Sequence, residues 1–133
     1  MDNSFFKGVK IIAIVGLSDD PNKHSYKVAV YFKSKEFRII PVNPSVNEVL
    51  GEKAYPDLLS IPKTIKIDVV DIFRRPEEVI PHIKEALKRG GITKVWLQEG
   101  VSSKEAEDFA SKHNLSIISN FCMMEAYKNL PRT

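Results

Sequence analysis

The sequence predicts a doubly wound α/β fold built on a mostly parallel sheet of five strands. Short apolar segments of strand length alternate with helix-like segments along the whole chain. Strands separated by helices of about 10 to 15 residues form parallel sheets with right-handed crossovers and helices on both faces. Because no linker, repeat or low-complexity tract interrupts this alternation, we expect one domain over residues 1–133.

Each predicted strand is a short apolar run that ends at a turn. The first, Ile11–Val15, has five apolar residues, four of them β-branched, which is typical of a fully buried strand. The other strands are predicted over residues 37–42, 67–73, 93–97 and 115–119. Gly51 and Pro56 break the segment 46–59 into a turn and one short helix.

The helices are predicted from their capping signals and apolar faces. They are expected over residues 24–35, from Pro76 to a Gly90-Gly91 stop, from a Ser102 or Ser103 cap through Phe109, and over residues 123–130. A helix after almost every strand makes the architecture Rossmann-like.

Composition and charge exclude several classes of protein. Hydrophobic residues make up 43% and charged residues 28% of the chain, and no apolar run approaches the roughly 20 residues of a membrane helix. The net charge of +3 is mild and its lysines and arginines are scattered, so we expect no nucleic-acid partner. The polar N-terminus and the single cysteine, Cys122, favour a cytoplasmic location.

Ligands of doubly wound sheets bind outside the carboxyl ends of the strands, so the residues after each strand are candidates for binding. The turn after the first strand leads into a helix N-terminus, where free backbone N–H groups attract phosphate. Turn-forming residues follow all four strands, and cationic side chains follow two of them. The four candidate sets are Gly16-Leu17-Ser18 with Lys23, Pro41 to Pro44, Phe73 to Pro76, and Gln98-Glu99-Gly100.

A nicotinamide dinucleotide fits this pattern poorly. The dinucleotide fingerprint needs a second glycine in the first loop, yet Gly16 is followed by Leu17, Ser18 and two aspartates. The end of the second strand, at Val42 and Asn43, also lacks an acid for the ribose hydroxyls.

Taken together, five segments resemble the CoA-binding domain family, small Rossmann-like proteins akin to the CoA-binding part of the succinyl-CoA synthetase α subunit. The segments are IAIVGLSDDPNKHSYKVAVYF, RIIPVNPSVNEVLGEKAYPDL, DVVDIFRRPEEV, VWLQEGVSSKEAEDFA and NFCMMEAY, which span nearly the whole chain in order. The chain departs from the family pattern at Leu17, where alanine is frequent, and at Phe121, where an arginine often precedes the cysteine.

The resemblance implies that the ligand is coenzyme A or an acyl-CoA. It implies a diphosphate near Gly16, Leu17, Ser18 and Lys23, an adenosine end beside Pro41, Asn43 and Pro44, a nucleotide under Phe73, Arg74 and Arg75, and pantetheine along Gln98, Glu99 and Gly100.

Several of these residues also have a structural explanation. Lys23 and the two arginines are equally typical of a solvated surface, Asn43 of a turn, and Glu99 of a helix cap. Trp96 is expected in the core. Asp68 and Asp71 are expected to pair with helix termini or with basic side chains.

No catalytic or metal-binding residues are predicted. His24, His82 and His113 have the spacing of neither a metal site nor a catalytic triad, although His24 lies near the proposed phosphates. Cys122 is expected to be a small buried hydrophobic residue, the alternative being a thiol that forms a mixed disulfide with CoA.

The prediction is therefore a non-catalytic protein that binds CoA, monomeric or weakly homo-oligomeric. Two alternatives stay open. One is a regulatory module for a nicotinamide or adenine nucleotide. The other is an enzyme, either the CoA-binding subunit of an acyl-CoA ligase or transferase or a thiol-dependent activity at Cys122.

Overall fold

The structure, a computed structural model, describes residues 4–131. The strands are β1 (Ile11–Val15), β2 (Arg38–Val42), β3 (Glu48–Val49), β4 (Glu52–Lys53), β5 (Val69–Ile72), β6 (Lys94–Leu97) and β7 (Ser116–Ile118). The helices are α1 (His24–Ser34), α2 (Val79–Arg89), α3 (Lys104–Lys112) and α4 (Met123–Lys128). Within the described range, no helix is both long enough and apolar enough to span a membrane.

The main sheet confirms the predicted fold class. Its five strands lie in the order β2-β1-β5-β6-β7, and every neighbouring pair is parallel. The chain passes from β1 outward to β2 and then returns to the other side of β1 at β5. The switch point of the sheet therefore lies between β1 and β5, where the loops after the two strands diverge and leave a crevice.

Helices cover both faces of the sheet. One buried cluster unites the sheet with α1 and α4, and the other unites it with α2 and α3. Trp96 belongs to the first cluster and is fully buried, and its indole Nε1 donates a hydrogen bond to the Phe121 carbonyl at 2.8 Å. The expectation that Trp96 is a core residue is therefore confirmed.

The segment 46–59 differs from the prediction. Strands β3 and β4 form an antiparallel hairpin, and Leu50 and Gly51 at its turn both have positive φ, 53° and 78°. Two-residue hairpins favour this left-handed geometry, but leucine at a left-handed position gives no sequence signal for it. The expected short helix corresponds to a 3-10 turn at Leu58–Ser60.

Pro41 lies inside β2 and is buried, which corrects its placement in the loop after that strand. The Arg38 N–H donates to the Lys10 carbonyl, so alternate residues of β2 direct their N–H groups toward β1. Pro41, which has no N–H, falls on the other parity, and its carbonyl accepts from the Tyr55 N–H at 3.0 Å. An edge strand tolerates proline in this position.

Candidate functional site

A cleft of about 640 Å³ opens at the carboxyl edge of the sheet, beside the switch point. It is lined by the segments that follow β5 and β6 and by the first residue of α1. The lining residues are His24, Phe73, Arg74, Arg75, Pro76, Glu78, Gln98, Glu99, Gly100 and Val101. Six of the predicted binding residues, Phe73, Arg74, Arg75, Gln98, Glu99 and Gly100, are thus brought together.

The loop after β1 packs closely against the residues after β5 that line the cleft. Gly16 has φ of 85°, and a Cβ there would lie 2.4 Å from the Phe73 carbonyl oxygen and 3.3 Å from Cδ of Arg74. Only glycine permits this approach, because any side chain would collide with the backbone after β5. Gly16 therefore determines where Phe73 and Arg74 lie.

The rest of that loop is held by local contacts. The Ser18 N–H donates to Oγ of Ser25 at 3.0 Å, and Oγ of Ser18 accepts from the Asp20 N–H at 2.9 Å. Leu17 is fully buried and packs in the core under α1 and α4, so its side chain is structural. No side-chain cap satisfies the first turn of α1, which begins after Lys23.

The loop after β2 lies apart from the cleft. Because β2 is on the far side of β1 from β5, the predicted residues Pro41, Asn43 and Pro44 do not line the cleft, and neither does exposed Lys23. The Asn43 amide is used locally, since its Nδ2 donates to the Leu17 carbonyl at 3.0 Å and its Oδ1 accepts from the Ser45 N–H. Asn43 therefore ties two loops together.

The two arginines of the cleft share one carboxylate. Nη2 of Arg74 lies 2.6 Å from Oε2 of Glu78, and Nε of Arg75 lies 3.1 Å from Oε1 of the same residue. The hydrogen bond from Arg75 lowers the pKa of Glu78, and the same contact raises the pKa of Arg75. The side chains of Arg74 and Arg75 line the cleft and are 40% and 75% exposed, respectively.

His24 belongs to the cleft but was not among the predicted binding residues. Its ring lies 6.1 Å from the Phe73 ring, and its Nε2 is 3.4 Å from Sγ of Cys122. The sequence signal for including His24 was its position at the first turn of α1, directly after the loop that follows β1. Cys122 is 3% exposed, as expected for a small buried residue. In the described part of the chain, no group of three potential ligands is arranged to hold a metal ion.

Two buried polar side chains, one in the cleft lining and one in β5, have no hydrogen-bond partner among the described residues. Gln98 lines the cleft, yet its Oε1 and Nε2 are buried and have no hydrogen-bond partner among the described residues. Asp71 in β5 is fully buried between Ile14 of β1 and Trp96 of β6, and neither carboxyl oxygen has a partner within residues 4–131. Burial raises the pKa of Asp71 well above its ordinary value.

The prediction that Asp68 and Asp71 pair with helix termini or basic side chains is confirmed for Asp68 and wrong for Asp71. Asp68 pairs with a basic side chain, since its Oδ1 lies 3.9 Å from Nζ of Lys66. Its Oδ2 also accepts hydrogen bonds from the Lys10 and Ile11 N–H groups, both at 2.9 Å, and so holds the start of β1. Asp71 has no such partner, because its row of the sheet faces the apolar core under α1 and α4.

We expect Asp71→Asn to raise the midpoint of thermal unfolding at pH 7. The raised native pKa means that this carboxyl contributes most stability below the ordinary value of 3.8 and that the contribution is lost as pH rises through the native pKa. Asparagine does not ionise, so the advantage of the variant should widen as pH rises from 3.8 through the raised native pKa of Asp71. Melting curves across this range test the prediction.

Asp68→Asn is the matched control for this experiment, since it makes the same change on a carboxylate that has backbone partners. We expect it to lower the midpoint. A constant difference between Asp71→Asn and the natural chain at every pH would contradict the account of Asp71.

Comparisons with known proteins find relatives along most of this chain. Residues 10–128 match a family model described as CoA binding domain. A Bacillus subtilis (strain 168) protein, named uncharacterized protein YneT, is 35% identical over 118 residues, which cover 89% of this chain and 85% of that protein. The ADP-forming acetate–CoA ligase of Methanocaldococcus jannaschii is 27% identical over 134 residues, or 93% of this chain and 19% of the ligase.

The fold also matches solved structures. A hypothetical protein from Pyrococcus horikoshii OT3 superposes with a TM-score of 0.90 and 36% sequence identity, over 96% of this chain and 88% of that one. The chain therefore spans most of these two small proteins but about a fifth of the ligase.

Proposed function

This chain belongs to the CoA binding domain family, and from that premise we propose that its switch-point cleft binds coenzyme A or an acyl-CoA without catalysing a reaction on it. The observation that carries the proposal is the position of Arg74 and Arg75 in that cleft, next to the loop that begins at Gly16. Guanidinium groups recognise phosphate oxygens through paired N–H donors. Coenzyme A presents a diphosphate and a further phosphate to such donors.

The remaining walls of the cleft suit the other parts of the ligand. Phe73 and His24 offer ring faces on which an adenine stacks. Gln98 lines the cleft with an amide that is unpaired but buried, and a change of its rotamer would present that amide to the amide groups of a pantetheine arm. The cleft volume of about 640 Å³ lies within the usual range of small-molecule sites.

The geometry gives a nicotinamide dinucleotide less support. The loop after β1 has one glycine, and the side chains of Leu17 and Ser18 are engaged in the core and with Asp20. At the end of β2 the Asn43 amide is bonded to backbone groups rather than free for a ribose.

A second candidate function follows from the alignments with acetate–CoA ligases. Nearly the whole chain aligns with part of an ADP-forming acetate–CoA ligase and with part of the α subunit of another, and the second alignment favours a CoA-binding subunit that acts with a partner chain. Such a subunit would bind CoA in the absence of its partner chain, but it would support ligase turnover only after the partner is added. The cytoplasmic location and the monomeric or weakly homo-oligomeric state stay predictions.

Calorimetric titration tests the proposed function. The purified protein is titrated with CoA and, at the same salt concentration, with NAD, NADP and ATP. We expect CoA to bind saturably at one site and NAD, NADP and ATP not to bind. Binding of a nicotinamide nucleotide, or of none of the four ligands, would overturn the proposal.

A further inference from the structure

One glutamate bridges the arginine pair of the cleft. Oε2 of Glu78 accepts from Nη2 of Arg74 at 2.6 Å, while its Oε1 accepts from Nε of Arg75 at 3.1 Å. The Arg75 N–H also donates to Oε1 at 3.4 Å. Both carboxylate oxygens are thus engaged, each by a different guanidinium group.

Glu78 is itself a lining residue of the cleft rather than an outlying partner. Among the described residues that line the cleft, the charges of Arg74 and Arg75 are balanced by those of Glu78 and Glu99. The cleft therefore carries little net positive charge while Glu78 is in place, although it contains the two groups best suited to phosphate.

Carboxylate and phosphate oxygens compete for the same guanidinium donors, since both accept charge-assisted hydrogen bonds in similar geometry. A bound phosphate would either displace the carboxylate of Glu78 or lie close to its negative charge. Both situations oppose binding. A ligand with clustered phosphates overcomes this opposition better than a singly charged anion, because it brings more charge to the pair than it displaces.

We infer that Glu78 is an internal competitor of the ligand: it engages the Arg74–Arg75 pair and restricts the site to ligands with clustered phosphates. The inference rests on the proposed function in taking a polyphosphate compound as the ligand. It adds a residue that sets specificity by opposing binding. The contact with Arg75 lowers the pKa of Glu78, which keeps the competing carboxylate ionised at neutral pH.

The test compares Glu78→Gln with a matched control, Glu77→Gln. Both variants remove one negative charge from adjacent residues, but the Glu77 side chain is 68% exposed, lies 3.6 Å from Nε of Arg75 and does not line the cleft. The amide introduced by Glu78→Gln keeps an oxygen acceptor for the Arg75 N–H. Each chain is titrated with CoA and with inorganic pyrophosphate at several salt concentrations.

We expect Glu78→Gln to bind both ligands about three- to tenfold more tightly than the natural chain, with a steeper dependence on salt. Glu77→Gln should change affinity by less than about twofold. If the Glu78→Gln variant unfolds at a lower temperature than the natural chain, Glu78→Ala replaces it, and we again expect tighter binding of both ligands.

Three results separate the possible failures. Weaker binding by Glu78→Gln, or a gain no larger than that of Glu77→Gln, would overturn the inference and assign Glu78 the role of positioning the arginines. If pyrophosphate binds more tightly to Glu78→Gln while CoA binds to no chain, the inference stands and the proposed function fails. If neither ligand binds to any chain, both fail.

Discussion

Replacing Arg74 and Arg75 together with alanine is expected to weaken CoA binding by roughly ten- to a hundredfold. Hydrogen bonds from charged donors are worth about 1.5–3 kcal/mol each when buried. Partial exposure of both side chains and their existing contact with Glu78 reduce that value. The dependence of affinity on salt should flatten as well, because salt screens the attraction between guanidinium and phosphate.

The control for this variant removes two positive charges far from the cleft. Lys63 and Lys66 are exposed and precede β5, so they lie at the opposite edge of the sheet from the loops that follow the strands. Replacing both with alanine should leave CoA affinity within about twofold. Unchanged affinity in the arginine variant would remove the pair from the site.

The second large effect is expected from Gly16→Ala. The added Cβ would lie 2.4 Å from the Phe73 carbonyl oxygen, and alanine would be forced to adopt φ near 85°. Left-handed backbone strain and overpacking each cost about 1–3 kcal/mol, so the free energy of unfolding should fall by roughly 2–6 kcal/mol. CoA affinity should fall too, since relief of the contact moves the loops after β1 and β5 apart.

Gly51→Ala separates the two causes. Gly51 has a similar φ of 78°, but a Cβ there would meet nothing within 4 Å. Thermal melting of the two variants should therefore show a much larger loss for Gly16→Ala. Equal losses would mean that the approach of the two loops is unimportant and that backbone strain explains both.

The type and approximate bounds of most helices and strands were predictable because their sequence signals were strong and local. Ile11–Val15 is a continuous apolar run and forms β1 at those bounds, and Ser103 caps α3 with its side chain, as its position predicts. The hairpin at Leu50-Gly51 was missed because a leucine occupies a left-handed position. The order of the strands depends on packing between distant segments, and hydrophobic pattern alone does not specify it.

The candidate site was predictable for the loops after β5 and β6 and less so elsewhere. Loops after parallel strands meet at one edge, but the cleft extends from β5 toward β6 and not toward β2, which leaves Asn43 outside it. The lack of a partner for Asp71 depends on tertiary surroundings that no local pattern encodes. The ion pair between Arg74 and Glu78 depends on the conformation of the turn that joins them, because Arg74 lies before the 3-10 turn at Pro76–Glu78 and not on a helix with Glu78.

A crystal structure of the protein with bound CoA would show whether the arginine pair holds the ligand. We expect phosphate oxygens within hydrogen-bond distance of the Arg74 or Arg75 guanidinium groups, with the Glu78 carboxylate withdrawn from them. We also expect the pantetheine arm along residues 98–100. CoA bound at another surface, with the contacts between Glu78 and the arginine pair unchanged, would exclude the cleft as the binding site.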